Sequence, residues 1–250
     1  MSKRDEYREK LRTLDDWDTY LMKESGLPGP RGNLELAQAA VDEGTPKQFE
    51  HWLTFDPEKA PVNSPEEFLA FCGVVGLGKL LAEGQTRYWP KLRPFASDQR
   101  WRTREGVAMA LQRLGDLDME ALLTAMADWS KGNLLEKRAA AAALCEPRLL
   151  GDPRQVKRVL KLLSDITASI LEVEDRKTEE MTILRKGLGY AWSVAVAADP
   201  EAGKPAMEKW LACADKDVRW IMKENLKKDR LRRMDAAWVK KWTAQLDKVK

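Results

Sequence analysis

The sequence predicts an all-α protein, a right-handed α-α superhelix of stacked helix pairs. Three observations predict it. Apolar residues recur at helical spacing from end to end, without a convincing alternating run that would make a strand. Cap and turn residues punctuate the chain at helix-length intervals. A frame of small residues repeats at about the length of one helix pair.

Taken in order, residues 3–24 are charged, with Tyr7, Leu11, Leu14, Trp17 and Leu21 at helical spacing, and they read as one helical stretch that the Gly26–Gly32 run of glycines and prolines ends. Asn33 caps the next helix and Gly44 closes it. Thr45-Pro46-Lys47-Gln48 supplies a capping box with Pro at the first helical position, and Ser64-Pro65-Glu66-Glu67 supplies a second. Beyond this box come Gly73, four residues, Gly78 and Lys79, the outline of a phosphate-binding loop with Leu80 where a Ser or Thr would hold magnesium. Such a loop needs an apolar strand leading into its glycines. Here the approach starts with a helix cap and keeps helical spacing, so the glycines belong inside a helix and no nucleotide cofactor is expected.

Glycine inside a helix costs about 0.5–1 kcal/mol relative to Ala, so repeated glycines need a reason. One appears when the chain is compared with itself. A residue p, small residues at p+2 and p+4, and a large apolar residue at p+7 recur as Val74-Gly76-Gly78-Leu81, Arg104-Gly106-Ala108-Leu111, Lys137-Ala139-Ala141-Leu144 and Arg185-Gly187-Gly189-Trp192. Arg219 to Leu226 fits in part, because Ile221 and Lys223 are not small. The steps between frames are 30, 33, 48 and 34 residues, three of them the length of a two-helix repeat. The long step carries an insertion, placed around the charged residues 172–180. Small residues let neighbouring helix backbones approach, so the frame predicts a packing seam. The domain reading is N-terminal helices over 1–62 packing on an array over 63–250 that ends in a basic cap.

Composition narrows the function classes. The 43 basic and 40 acidic side chains nearly cancel, but Lys216–Lys250 holds 12 Lys or Arg against five Asp or Glu, which directs any polyanion contact to that end. Trp220, Trp238 and Trp242 are interleaved with those cations, as in nucleic-acid surfaces that combine phosphate contacts with stacking. A terminal capping helix would need the same mixture, and Trp238, Trp242 and Leu246 at i, i+4, i+8 point to a buried face. Cys72, Cys145 and Cys213 are far apart, without metal-ligand spacing, and read as reduced core thiols. His51 is the only histidine, which leaves histidine-based metal or triad chemistry one imidazole; a helix-surface place suits it. The charged N-terminus and the lack of a membrane-spanning apolar run point to a soluble, cytoplasmic protein with no membrane contact. No metal and no cofactor is expected.

With this frame, residues 64–230 look like a HEAT-like or armadillo-type α-solenoid. A narrower resemblance follows from Trp129, Asn133 and Arg138 in one segment and Arg185, Lys186, Gly189 and Ala191 in another: these are similar to parts of the DNA alkylation repair family, HEAT-like DNA glycosylases that excise alkylated purines. That resemblance implies duplex DNA as partner, with Arg138, Arg185 and Lys186 near the phosphates, Trp101 and Tyr190 around the base, and Trp129 as a further ligand-binding residue. The chain departs from the family at two diagnostic places. Tyr190 stands where the family has Trp, and the nearest counterpart of its catalytic Asp is Glu105, four residues after Trp101, which puts ring and carboxylate on one helix face. Aromatic faces suit a cationic alkylated base, and a carboxylate suits the positive charge developing on the sugar. Equally, Trp101 and Tyr190 suit core or groove aromatics and Glu105 a solvated surface residue, and the two departures weigh against catalysis.

Two functions follow. One is a non-catalytic binding module that presents a concave face to a protein or nucleic-acid partner. The other is a DNA-binding repair protein related to the alkylpurine glycosylases. A basic stripe built from Arg100, Arg102, Lys137, Arg138, Arg185, Lys186 and Arg219 would favour DNA.

Overall fold

The Gly73–Lys79 stretch lies within a helix of 18 residues, as its approach predicts. The computed structural model describes residues 1–248, and every regular element among them is helical. They divide into two compact units, Met1–Asp118 and a second that begins at Met119.

The first unit comprises α1 (Lys3–Leu11), α2 (Trp17–Glu24), α3 (Leu34–Glu43), α4 (Pro46–Trp52), α5 (Pro65–Ala82), the short α6 (Trp89–Leu92) and α7 (Trp101–Leu117). Its centre is α5, which is apolar on all sides and therefore buried on all sides; only Pro65, Glu66, Lys79 and Ala82 escape burial. The helices α2, α3, α4 and α7 pack around it. The phosphate-loop lysine has a structural job, because Lys79 Nζ donates to the Asp42 and Gly44 carbonyls at 2.8 and 3.1 Å and so caps the end of α3.

Two local expectations need correction. Residues 3–24 form two helices, because Asp16 caps a new one, accepting from the Thr19 N–H at 3.2 Å. The break brings Asp18 to α4, where its carboxylate accepts from Trp52 Nε1 at 2.6 Å and meets His51 Nε2 at 2.8 Å. The Ser64 box closes on one side only. Ser64 Oγ accepts from the Glu67 N–H, but the Glu67 carboxylate turns to the Asn63 N–H at 2.7 Å and to Arg102. The Thr45 box is complete, and Asn33 caps α3 as expected. Acidic residues at the end of α3 hold α1: Arg4 pairs with Asp42, and Arg8 and Arg12 both pair with Glu43.

In the second unit α8 (Met119–Trp129), α10 (Pro153–Ser169) and α12 (Pro200–Leu211) make one row, and α9 (Leu134–Leu144), α11 (Glu179–Ala198) and α13 (Lys216–Leu226) make another. Following them are α14 (Asp229–Met234) and α15 (Ala236–Lys248), which pack on each other and on α13. The long repeat step is explained by a 3-10 turn over Ile170–Glu172, a loop to Thr178, and an α11 that begins before its frame residue Arg185. Trp238 and Leu246 are buried while Trp242 is half-buried, and both indole N–H groups donate to Glu208 Oε1, at 2.7 and 3.2 Å. Cys72 and Cys145 are core residues whose thiols burial pushes up. Cys213 is only half-buried, since α12 ends just before it.

The frame explains the packing in both units. Two residues along a helix rotate about 200°, so p+2 and p+4 face opposite sides. A Cβ on Gly76 would stand 2.4 Å from the Phe49 ring of α4, and one on Gly78 2.3 Å from the Ala110 carbonyl of α7. Gly106 of α7 looks back at Phe71 of α5. Likewise Gly187 faces Arg138 of α9, and Gly189 faces Trp220 and Glu224 of α13. The first small residue thus meets the preceding helix, the second the following one.

Candidate functional site

At the start of α7 three arginines turn into the protein. The Arg100 guanidinium, almost fully buried, donates to both Asp98 oxygens and to the Phe55 and Ala60 carbonyls. Arg102 donates to Glu67 Oε2 at 3.1 Å and to the Gly29 carbonyl at 2.7 Å. Arg104 donates to the Asp98 and Gln99 carbonyls. These contacts fix the start of α7, and they withdraw Arg100 and Arg102 from the expected basic stripe.

Between them Trp101 faces out, 45% exposed, with the Arg102 guanidinium 4.5 Å from its ring centroid. One turn later stands Glu105, half-buried and already interacting within the protein. Both line a pocket of about 340 Å³ together with Met109 of α7, Phe68 and Phe71 of α5, and Leu34, the first residue of α3. The loop residues Pro30, Arg31 and Gly32 complete the wall with Arg102. Phe68 and Phe71 stack at 6.2 Å, and Leu34 is half exposed. The lining is chiefly apolar, and its few polar groups sit where they can orient a ligand. The i, i+4 spacing thus brings Trp101 and Glu105 to one wall. Sequence reasoning missed Leu34, Phe68, Phe71 and Met109, whose helical spacing is that of ordinary core residues.

The remaining expected site residues lie in the second unit. Arg185 donates to Asp217 Oδ1 at 2.7 Å and covers the Trp220 ring at 4.7 Å, so its charge is spent between α11 and α13. Lys186 is exposed. Tyr190 is 45% exposed, flanked by Lys228 and Arg230, and its hydroxyl accepts from Arg230 at 2.5 Å. Arg138 is half-buried beside Gly187. Trp129 is buried in the core, where it offers no face to a ligand. Arg219 donates to the Leu246 carbonyl near the end of α15. Lys186, Tyr190, Lys228 and Arg230 remain as an outward-facing basic and aromatic group.

No described helix is long and apolar enough to cross a membrane, and no cluster of metal-ligating side chains exists among the described residues. Fold and site therefore define an all-α protein with a small apolar pocket opening beside the first turn of α7. No protein-family model, curated protein or solved structure matches the chain.

Proposed function

We propose that the protein is a non-catalytic, HEAT-like helical-repeat binding module, a right-handed array whose contact point for a macromolecular partner is the pocket at Trp101. The observation that carries this reading is the contrast at the start of α7. Arg100 and Arg102, which a DNA-binding stripe would need at its surface, are tied to Asp98, Glu67 and main-chain carbonyls, while Trp101 and Leu34 stay exposed around an apolar cavity. Exposed aromatic and aliphatic residues around a cavity are how protein-binding surfaces anchor a partner. The partner is expected to be a protein.

A second reading rests on a specific observation too. Trp101 and Glu105 share a pocket wall, the pairing of ring and carboxylate expected from the resemblance to the alkylpurine glycosylases. In that reading the partner is duplex DNA.

Affinity capture with nuclease treatment separates the two. A protein retained by the wild type, insensitive to nuclease and lost on Met109→Trp, which fills the cavity, supports the module. Capture that nuclease abolishes would move the assignment to nucleic acid.

A further inference from the structure

Acids answer many of the cations in the second unit. Lys223 pairs with Asp247, Lys227 with Glu224 and Arg232 with Asp229. Lys186, Lys228, Arg230 and Arg233 make no ion pair among the described residues. The fold gathers these four. Lys186 stands one turn before Tyr190 on the same face of α11, and α14, which packs on α11, brings Arg230 to that tyrosine. The Arg230 guanidinium lies 4.6 Å from the Tyr190 ring centroid, and the Lys228 ammonium, at the turn into α14, lies 5.8 Å from it. Arg233 follows Arg230 by three residues and neighbours it on α14. The half-exposed ring therefore holds two cations in place in advance, which lowers the ordering cost of meeting an anion. Glu224 of α13 and Asp229 of α14 are the carboxylates that Lys227 and Arg232 already take, so the group keeps uncompensated positive charge.

We propose that this α11–α14 face binds an acidic segment of a partner protein, its Asp and Glu carboxylates reaching Lys186, Lys228, Arg230 and Arg233. Charge complementarity carries the choice of partner. A nucleic-acid strand would use the Tyr190 ring to stack a base. Arg230 and Lys228 already stand against that ring, and its hydroxyl accepts from Arg230 at 2.5 Å. A carboxylate needs no bare ring face, only the outward N–H groups of the cations, with which it forms charge-assisted hydrogen bonds. The inference goes beyond the Trp101 pocket, since it rests on other residues in the other unit.

Fluorescence anisotropy on the full chain tests it with the labelled, end-capped peptide Gly-Glu-Asp-Glu-Leu-Asp-Glu-Asp-Gly and a counterpart carrying Gln and Asn in place of Glu and Asp. Exposed charge pairs are individually weak, but four acting together should make the acidic peptide bind at least ~10-fold more tightly than the neutral one. Its affinity should fall as salt rises. Lys186→Gln combined with Lys228→Gln should weaken that binding by ~5-fold or more at an unchanged melting temperature. Lys204→Gln combined with Lys223→Gln removes the same charge from cations paired elsewhere in the unit, with Asp235 and Asp247, and should leave binding within about twofold. Equal affinity for the two peptides, no binding of either, or equal loss in the two double variants overturns the proposal. An oligothymidylate of matched charge that binds more tightly than the acidic peptide overturns it too, and makes this a nucleic-acid face. Met109→Trp reads the Trp101 pocket independently, so failure here leaves that reading in place.

Discussion

Replacing Gly78 by Ala should destabilise the protein even though alanine is the better helix former. The new Cβ would stand 2.3, 2.4 and 2.7 Å from the carbonyl oxygen, Cα and carbonyl carbon of Ala110. Ordinary carbon contacts lie at about 3.5–4.0 Å, so α5 and α7 must separate by roughly 1 Å. Backbone cannot rotate out of the way as a side chain can, and α7 is held by the three arginine anchors at its start. Overpacking of this kind costs up to about 3 kcal/mol, against about 1 kcal/mol gained in helix propensity, for a net loss of about 2 kcal/mol. At 250 residues that corresponds to a fall in melting temperature of roughly 4 °C. Gly189→Ala is the matched control: its Cβ meets only the Trp220 and Glu224 side chains, at 3.2 Å, which can yield by a few tenths of an ångström. Urea and thermal unfolding followed by far-ultraviolet circular dichroism would measure both. A Gly78→Ala protein as stable as the Gly189→Ala protein would refute the seam between α5 and α7.

Other consequences can be measured independently. Glu43, hydrogen-bonded first by Arg12 and then by Arg8, has its carboxyl lowered from 4.5 to about 2; a depressed acid stabilises above its unfolded value, so α1 should stay docked above pH 4.5 and loosen between about 4.5 and 2. Hydrogen exchange in α1 should show that window and lose it in Glu43→Gln. Arg102→Ala leaves the buried Glu67 carboxylate without its cation and should cost about 3–5 kcal/mol in urea unfolding, against less than about 1 kcal/mol for the exposed neighbour Trp101→Ala. With Ellman's reagent, Cys213 should react rapidly in the native protein while the buried Cys72 and Cys145 wait for unfolding.

The sequence made the repeated helix visible because Gly76, Gly78, Gly187 and Gly189 are costly where they stand, and only a close helix contact offsets that cost. Caps were legible for the same local reason at Asn33 and Thr45. The break at Asp16 was hidden inside a charged run that keeps helical spacing on both sides, where nothing local marks Asp16 as the cap among its acidic neighbours, and its consequence is distant, the contact of Asp18 with His51 and Trp52. The fate of the arginines was hidden too. Charge alone suggested a surface stripe, whereas Arg102 finds Glu67 and Gly29, and Arg100 finds Phe55 and Ala60, only after folding brings them together. Trp101 and Glu105 could be paired from their spacing, but the pocket also needs Leu34, Phe68 and Phe71 from two other helices, and no local pattern announces that meeting.

The central claim, a module that grips a protein partner through the α7 pocket, is tested most directly by titrating the full chain against a fluorescently labelled duplex while salt is varied. A DNA-binding surface releases counterions as it neutralises phosphates, so its affinity would fall steeply as salt rises, by ~10³-fold or more between 50 and 200 mM for six or more contacts. With Arg100, Arg102, Arg104 and Arg185 committed within the fold, the account predicts no saturable anisotropy change at low salt, for intact and alkylated duplexes alike. Tight binding with a steep salt slope, lost on Lys186→Glu, would contradict it, and release of an alkylated base that Glu105→Gln abolishes would replace the module with an enzyme.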